Sequence, residues 1–148
     1  MKGIRVALIG LNEGRGYIVE KDLSEVPNRI RKSLYPLIIG LNHHGIVDLG
    51  DLRKGPSSEE TNLRLKVVCE YLISQEILPI ILGGLQNMTL GQYLGYESTG
   101  KLLTLLSIDA KLDLEESENP TDSYLGTIFK HNPNYLFNYI HLGYQSYL

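Results

Sequence analysis

The sequence predicts an α/β protein in which a mainly parallel β-sheet lies between two layers of helices. Two observations predict this class. The strand candidates are continuously apolar rather than alternating, and amphipathic helical segments separate them. The chain has 148 residues, of which 43% are hydrophobic and 21% charged. These values suit one soluble domain spanning residues 1–148 with a sizeable core.

The first half of the chain predicts two strands and two helices. Residues 4–9 are apolar and rich in β-branched side chains, and a second strand is predicted over residues 45–50. Between these strands, Ser24 is placed to cap a helix. Its apolar positions recur every four residues, at Val26, Ile30 and Leu34.

The second predicted helix has the clearest signals. Ser57 and Glu60 have the spacing of a capping box. Five apolar residues downstream predict one buried helical face, formed by Leu63, Val67, Val68, Tyr71 and Leu72. Cys69 lies inside this apolar pattern and is predicted to be a small buried core residue rather than a nucleophile.

The second half predicts three more strands, over residues 77–84, 101–110 and 134–144. Short helices are predicted over residues 89–96 and around Leu125. The apolar pattern indicates a sheet cut short after about the fifth strand, as in the N-terminal portion of a longer fold. We therefore expect an exposed sheet edge and self-association of the chain.

Composition disfavours several kinds of partner. The formal charge of −3 gives no electrostatic reason to expect nucleic acid or a membrane surface. The short basic group of Arg29, Arg31 and Lys32 is predicted to be a solvated helix face. A single cysteine rules out an intrachain disulfide, and the N-terminal apolar run is too short to span a membrane. We expect a cytoplasmic protein.

Ligands of parallel sheets bind beyond the carboxyl ends of the strands, and three strand exits here are polar or glycine-rich. They cover residues 10–16, 83–87 and 109–113. In the last of them, Asp109, Lys111 and Asp113 alternate onto one side of an extended segment. This arrangement has three alternative interpretations. The two acids bind a divalent cation, the lysine ammonium group takes the place of that cation, or all three side chains face solvent.

The remaining candidates carry weaker signals. The loop at residues 10–16 matches neither the dinucleotide fingerprint nor the P-loop. His43 and His44 are adjacent and point to opposite faces of an extended segment, so they do not suit one shared metal. His131 and His141 are single and lack ligand-spaced partners.

The ordered motifs resemble those of the ureohydrolase family, which includes arginase, agmatinase and formimidoylglutamase, and the formimidoylglutamase-like proteins in particular. The similarity runs along nearly the whole chain. It is carried by the stretches VALIGLNEGRG, VPNRIRKSLYPL, GIVDLGDL, LPIILGG, LTLLSIDAKLDL and NYLFNYIHLGYQSYL. The resemblance implies an arginase-like fold and a family chemistry in which two manganese ions activate a water for attack on a guanidinium or formimino carbon.

The same resemblance places the family's metal ligands on this chain. Asp109 and Asp113 match the two acids of the second ligand motif, whereas Gln86 and Lys111 fall on the positions of ligand histidines. The preceding acid of the first motif falls on Leu85, and the later Asp-x-Asp motif would lie beyond residue 148. The family's histidine–glycine substrate loop corresponds to Leu125 and Gly126.

Three functions are compatible with this pattern. The first is an inactive ureohydrolase-family chain, or a pseudoenzyme fragment, for which we expect no bound metal cofactor. The second is a manganese-dependent hydrolase of a linear amidine or guanidino C–N bond, which would take a small-molecule substrate once the site is complete. The third is a nucleotide-binding α/β module that uses residues 10–16.

Overall fold

The structure is a computed structural model that describes residues 3–15, 22–37, 45–112, 114 and 123–146. Strands and helices alternate along the chain, as predicted. The strands are β1 (Ile4–Leu11), β2 (Gly45–Asp51), β3 (Leu78–Gly83), β4 (Leu103–Ile108) and β5 (Leu136–Leu142). The helices are α1 (Val26–Leu34), α2 (Ser58–Ser74), α3 (Thr89–Glu97) and α4 (Tyr124–Lys130), with one 3₁₀ turn at Gln86–Met88 before α3.

All described strand pairs are parallel, which confirms the predicted fold class, and they form two separate sheets. The larger sheet has the order β2-β1-β3, and the smaller one consists of β4 and β5. In the larger sheet β1 pairs with both neighbours, with Ala7 opposite Val47 on one side and Pro79 on the other. In the smaller sheet Leu106 lies opposite Ile140. No described strand joins β3 to β4.

The core consists of apolar clusters on the covered faces of the sheets. Ala7 and Ile9 of β1 pack with Leu72 of α2, while Leu11 packs with Leu65 and Cys69. A third cluster, under the smaller sheet, contains Tyr93, Tyr124, Leu125 and Ile128. Cys69 is fully buried as predicted, and its burial raises the pKa of the thiol to about 12.

The start of α1 differs from the prediction. The N-cap residue of α1 is Glu25, and no side chain forms a capping hydrogen bond at this end of the helix. Ser24 belongs instead to a turn in which its N–H donates to Oδ1 of Asp22 at 3.0 Å. Pro27, in the first turn, fixes the local backbone for a helix without needing a capped N–H. The predicted start of α2 is confirmed, since the Ser57 side chain accepts from the Glu60 N–H.

The buried face of α2 is only partly the predicted one. Leu72 is buried and Val68 packs partly buried against the same cluster, but Leu63, Val67 and Tyr71 are 53%, 64% and 57% exposed. The helix is turned because two polar side chains are held inside. The Thr61 hydroxyl donates to Glu13 at 2.8 Å, and Oδ1 of Asn62 accepts from the Gly91 N–H at 2.8 Å. These bonds remove the cost of burying Thr61 and Asn62.

The prediction of a solvated basic face is wrong for Arg31. Its guanidinium is buried between α1 and β2, with Nε 2.8 Å from Asp48 Oδ2 and Nη1 2.5 Å from Asp51 Oδ1. Arg29 and Lys32 are exposed. A guanidinium can satisfy two carboxylates at once because its donors form a planar fork, and this pairing explains its burial.

Candidate functional site

The carboxyl ends of β3 and β4 meet, although the two strands belong to different sheets. β3 ends in a turn through Gly83 and Gly84, both of which have positive φ angles (+89° and +81°), and the chain then enters the 3₁₀ turn. A Cβ on Gly83 would lie 2.7 Å from the Leu11 carbonyl oxygen, so this turn requires glycine. The turn carries Gln86 toward the end of β4.

At the meeting point, the side-chain amide of Gln86 donates a hydrogen bond to the Asp109 carboxylate. The other carboxylate oxygen accepts from the backbone N–H of Lys111 at 3.1 Å. The Lys111 N–H and the Gln86 amide both favour the charged carboxylate and lower the pKa of Asp109. Two of the predicted site residues are thus in direct contact, and a third contributes through its backbone.

The Lys111 side chain is exposed and makes no ion pair with another described residue. The charge of the Asp109 carboxylate is therefore stabilised by N–H donors of Gln86 and Lys111, and the described contacts do not include the predicted neutralisation by the Lys111 ammonium group. Asp113 lies outside the described residues, so its predicted place beside Asp109 remains a prediction. The same holds for His43 and His44.

His141, which the sequence analysis treated as a single histidine without partners, supports this site. Nε2 of His141, on β5, lies 2.8 Å from the backbone carbonyl oxygen of Asp109. Its Nδ1 lies 2.9 Å from the Tyr139 hydroxyl, and Tyr144 packs edge-on against the ring. His141 therefore fixes the backbone at the end of β4. Only the pairing of β4 with β5 reveals this contact, because 32 residues separate the two positions.

The glycine-rich exit of β1 is filled by a buried acid. Glu13 has no exposed surface, and it accepts from the Arg15 guanidinium at 2.6 Å and from the Thr61 hydroxyl at 2.8 Å. Burial alone would raise the pKa of Glu13, but these hydrogen bonds outweigh it and lower the pKa to about 2. A phosphate would meet this buried negative charge, so the geometry does not favour nucleotide binding.

Leu125 and Gly126, which correspond to the family's substrate loop, lie in α4. Leu125 is 1% exposed and belongs to the core cluster under the smaller sheet. The Gly126 N–H donates to the Ser123 hydroxyl, which caps the helix. His131 is the other histidine that lacks a ligand-spaced partner in the sequence. Its Nδ1 lies 2.9 Å from Oε1 of Glu97, and this contact joins the ends of α3 and α4.

Comparison with known proteins decides the family. The sequence profile of the Arginase family matches residues 5–148. The chain belongs to the arginase family. It is 31% identical to a formimidoylglutamase of Streptococcus gordonii across 99% of its own length and 48% of that protein. A formimidoylglutamase of Corynebacterium efficiens is 29% identical over 62% of this chain and 35% of that protein.

Solved structures agree on the arginase-like fold. The Trypanosoma cruzi formiminoglutamase with Mn²⁺ matches 97% of this chain and 54% of its own, with a TM-score of 0.82 and 14% identity. The Bacillus subtilis formimidoylglutamase matches 95% of this chain and 48% of its own, with a TM-score of 0.74 and 19% identity. This arginase-family chain therefore spans about half the length of the relatives that it matches.

Among the described residues, no three His, Cys, Asp or Glu side chains come together in a group able to hold a metal ion. None of the helices in the described ranges is long and apolar enough to cross a membrane.

Proposed function

We propose that this arginase-family chain is catalytically inactive by itself and does not assemble the two-manganese centre of the family. The observation that carries this proposal is the hydrogen bond from Gln86 to Asp109. The family resemblance places a ligand histidine at residue 86, where an imidazole would offer a lone pair. A carboxamide that donates to the carboxylate presents N–H groups instead, and the lone pair of an amide nitrogen is delocalised into its carbonyl group, so this nitrogen is not a metal ligand.

Lys111 supports the same proposal. It takes the place of a second ligand histidine, two residues after Asp109. An imidazole is neutral when it binds a metal, whereas an ammonium group carries a charge that repels a divalent cation. The Lys111 ammonium group therefore opposes a divalent cation beside Asp109, and solvent reduces this repulsion because the Lys111 side chain is exposed. The described donors therefore do not fit a two-manganese centre.

A second function rests on the convergence of the strand ends. Gln86 and Asp109 come from different sheets and still meet at one point, which is the arrangement that a metal-binding corner needs. The T. cruzi relative was solved with Mn²⁺, and it is about twice as long as the part matched here. When the rest of the fold is present, the chain is a candidate manganese-dependent hydrolase of an amidine or guanidino C–N bond, with a small-molecule substrate.

Calorimetric titration with Mn²⁺ tests the proposal. The parent chain is expected to bind no manganese up to millimolar concentration, and the double variant Gln86→His, Lys111→His is expected to gain binding. A matched control, Gln75→His with Lys101→His, makes the same changes at two exposed positions away from Asp109. It is expected to behave like the parent.

The outcomes separate the two functions. Manganese binding by the parent that is lost in Asp109→Ala would overturn the proposed loss of the metal site. Hydrolysis of an amidine or guanidino substrate by the parent would overturn the proposed inactivity. If neither the parent nor the double variant binds manganese, the missing metal site agrees with the proposal, but the cause assigned here, substitution at residues 86 and 111, is wrong.

A further inference from the structure

The backbone ladder between β4 and β5 breaks off at Asp109. The Asp109 N–H still donates to the Leu142 carbonyl oxygen at 3.0 Å, as a continuing parallel ladder requires. The next step of that ladder would bring the N–H of Tyr144 to the Asp109 carbonyl oxygen. Gln145 instead donates to Ala110 at 3.0 Å, and none of the described backbone N–H groups reaches the Asp109 carbonyl. The carbonyl oxygen of Asp109 therefore lacks its backbone donor.

Gly143 is the residue at which the chain after β5 leaves the ladder. Its φ angle is +88°, a left-handed conformation that glycine adopts without strain. A Cβ at this position would lie 3.3 Å from the Asp109 carbonyl oxygen, closer than most side chains approach. The turn at Gly143 thus takes the following N–H out of line with the carbonyl while the chain stays close to it.

The imidazole of His141 supplies a donor in place of the backbone. His141 lies opposite Ser107 in the register, so its ring reaches along the sheet to the residue two positions further on. Nε2 lies 2.8 Å from the Asp109 carbonyl oxygen, which is the distance of a normal N–H···O hydrogen bond. A side chain of β5 therefore completes the hydrogen bonding that the β5 backbone leaves open.

The partners of the ring determine its tautomer. A carbonyl oxygen only accepts hydrogen bonds, so Nε2 must carry a hydrogen. In the neutral ring Nδ1 then has a lone pair, and the Tyr139 hydroxyl, 2.9 Å away, donates to it. Tyr139 in turn packs in a T-shaped contact with Phe129 of α4, with ring centroids 5.5 Å apart. A continuous set of contacts thus runs from α4 through His141 to the Asp109 backbone.

Asp109 is held to β5 through both of its backbone groups. The N–H is bound to Leu142 and the carbonyl to His141. Fixing the peptide group on each side of a residue sets the direction of its Cα–Cβ bond. The Asp109 carboxylate then meets the Gln86 amide, which comes from the other sheet. Loss of the imidazole would remove the restraint on the peptide group that follows Asp109.

We propose that His141 is the positioning residue for Asp109. As the Nε2–H tautomer, it takes the place of a ladder donor and aims the Asp109 carboxylate at residue 86. The inference rests on the proposed function to the extent that both use the contact between Gln86 and Asp109. It does not depend on whether a metal binds, because every contact that carries it is present in the parent chain.

NMR of the ring nitrogens tests the tautomer. The chemical shift of an imidazole nitrogen separates a nitrogen that carries a hydrogen from one with a lone pair, and the His141 signals are those lost in His141→Gln. At about pH 8, where a free imidazole is neutral, we expect a hydrogen on Nε2 and none on Nδ1. A neutral ring with its hydrogen on Nδ1 would overturn the proposal, because Nε2 would have nothing to donate to Asp109.

A matched pair of variants tests the positioning. His141→Phe keeps a ring and removes the donor, whereas His141→Gln removes the ring and keeps an N–H of similar reach. We expect His141→Phe to accelerate hydrogen exchange of the Asp109 amide at least tenfold. It should also move the Gln86 side-chain amide signals to their positions in Asp109→Ala. In His141→Gln the exchange should change less than threefold, and the Gln86 signals should stay as in the parent.

Two controls separate positioning from a general loss of stability. The amide of Ile9, in the core of the larger sheet, should exchange at the parent rate in both variants. His131→Phe makes the same change at the other half-buried histidine and should leave the Asp109 and Gln86 signals unchanged. Parent-like signals in His141→Phe, or equal changes in the two His141 variants, would contradict the positioning role. If circular dichroism shows that His141→Phe is unfolded, the tautomer of the parent and the signals of His141→Gln decide the matter.

Failure of this inference can be told apart from failure of the proposed function. The NMR measurements involve no metal, and the manganese titration involves no change at residue 141. Manganese binding by the parent would overturn the proposed loss of the metal site and would leave the expected tautomer of His141 in place. Gln86 side-chain signals that are the same in the parent and in Asp109→Ala would overturn both, since the shared contact would then be absent.

Discussion

The Arg31 guanidinium lies between Asp48 and Asp51 and joins α1 to β2, with Nε 2.8 Å from Asp48 Oδ2. Removal of the cation would leave two carboxylates without their partner in a largely buried place. We expect Arg31→Ala to lower the free energy of unfolding by about 3 kcal/mol. Arg29→Ala, an exposed change on the same helix, should stay within about 0.5 kcal/mol. Urea unfolding measures both, and equal values would show that the ion pairs contribute nothing.

Acid should weaken the fold through two carboxylates. The hydrogen bonds from Arg31 lower the pKa of Asp48 to about 2. Burial would raise the pKa of Glu13, but hydrogen bonds from Arg15 and Thr61 lower it to about 2. Both values lie below those of the unfolded chain, about 3.9 for Asp and 4.3 for Glu. The stabilisation is therefore complete above about pH 4.5 and is lost as the pH falls toward 2.

The stabilisation that is lost on protonation is about 2 kcal/mol for each carboxylate. Urea unfolding at pH 7, 4 and 3 should show the decline in the parent and a smaller decline in Asp48→Asn, which has no carboxylate to protonate there. Glu70→Gln, at an exposed position, should follow the parent. A decline of the same size in Asp48→Asn would show that Asp48 is not one of the groups responsible.

The sequence predicted local features of this fold better than its long-range ones. Strand identity follows from apolar runs, and the start of α2 follows from Ser57 with Glu60, because each depends on neighbours in the chain. The buried face of α2 was mispredicted because Thr61 and Asn62 are polar, and their burial depends on partners at Glu13 and Gly91. Hydrophobic periodicity carries no information about such distant partners.

The candidate site shows the same division. The rule that ligands gather at strand ends singled out the exits that carry Gln86 and Asp109. The contact between these two side chains is a finding of the structure. The support from His141 was missed because it depends on the register between β4 and β5. The gap between the two sheets was also missed, since strand composition does not tell which strands are neighbours.

The contact between α2 and α3 depends on a glycine. A Cβ added to Gly91 would lie 2.6 Å from the Asn62 carbonyl oxygen, closer than atoms tolerate. Helix propensity favours alanine over glycine by about 1 kcal/mol, so an open position would gain stability on substitution. We expect Gly91→Ala to destabilise the protein by about 2 kcal/mol instead, because the helices must move apart. A gain in thermal stability would show that the contact is looser than described.

The bare face of the smaller sheet predicts that the chain alone associates with itself. Leu106, Ile108, Ile140 and Leu142 form a contiguous aliphatic surface, and burial of such surface contributes about 25 cal/mol per Å². Sedimentation velocity should therefore show mass that rises with concentration. The double variant Leu106→Lys, Ile108→Lys should shift the chain toward monomer, because two charges would have to lose water in the contact.

The matched change Leu63→Lys, Val67→Lys places the same charges on the exposed side of α2 and should not have this effect. A parent chain that stays monomeric at all concentrations would contradict self-association, and equal shifts in the two variants would assign it to net charge rather than to the bare sheet face.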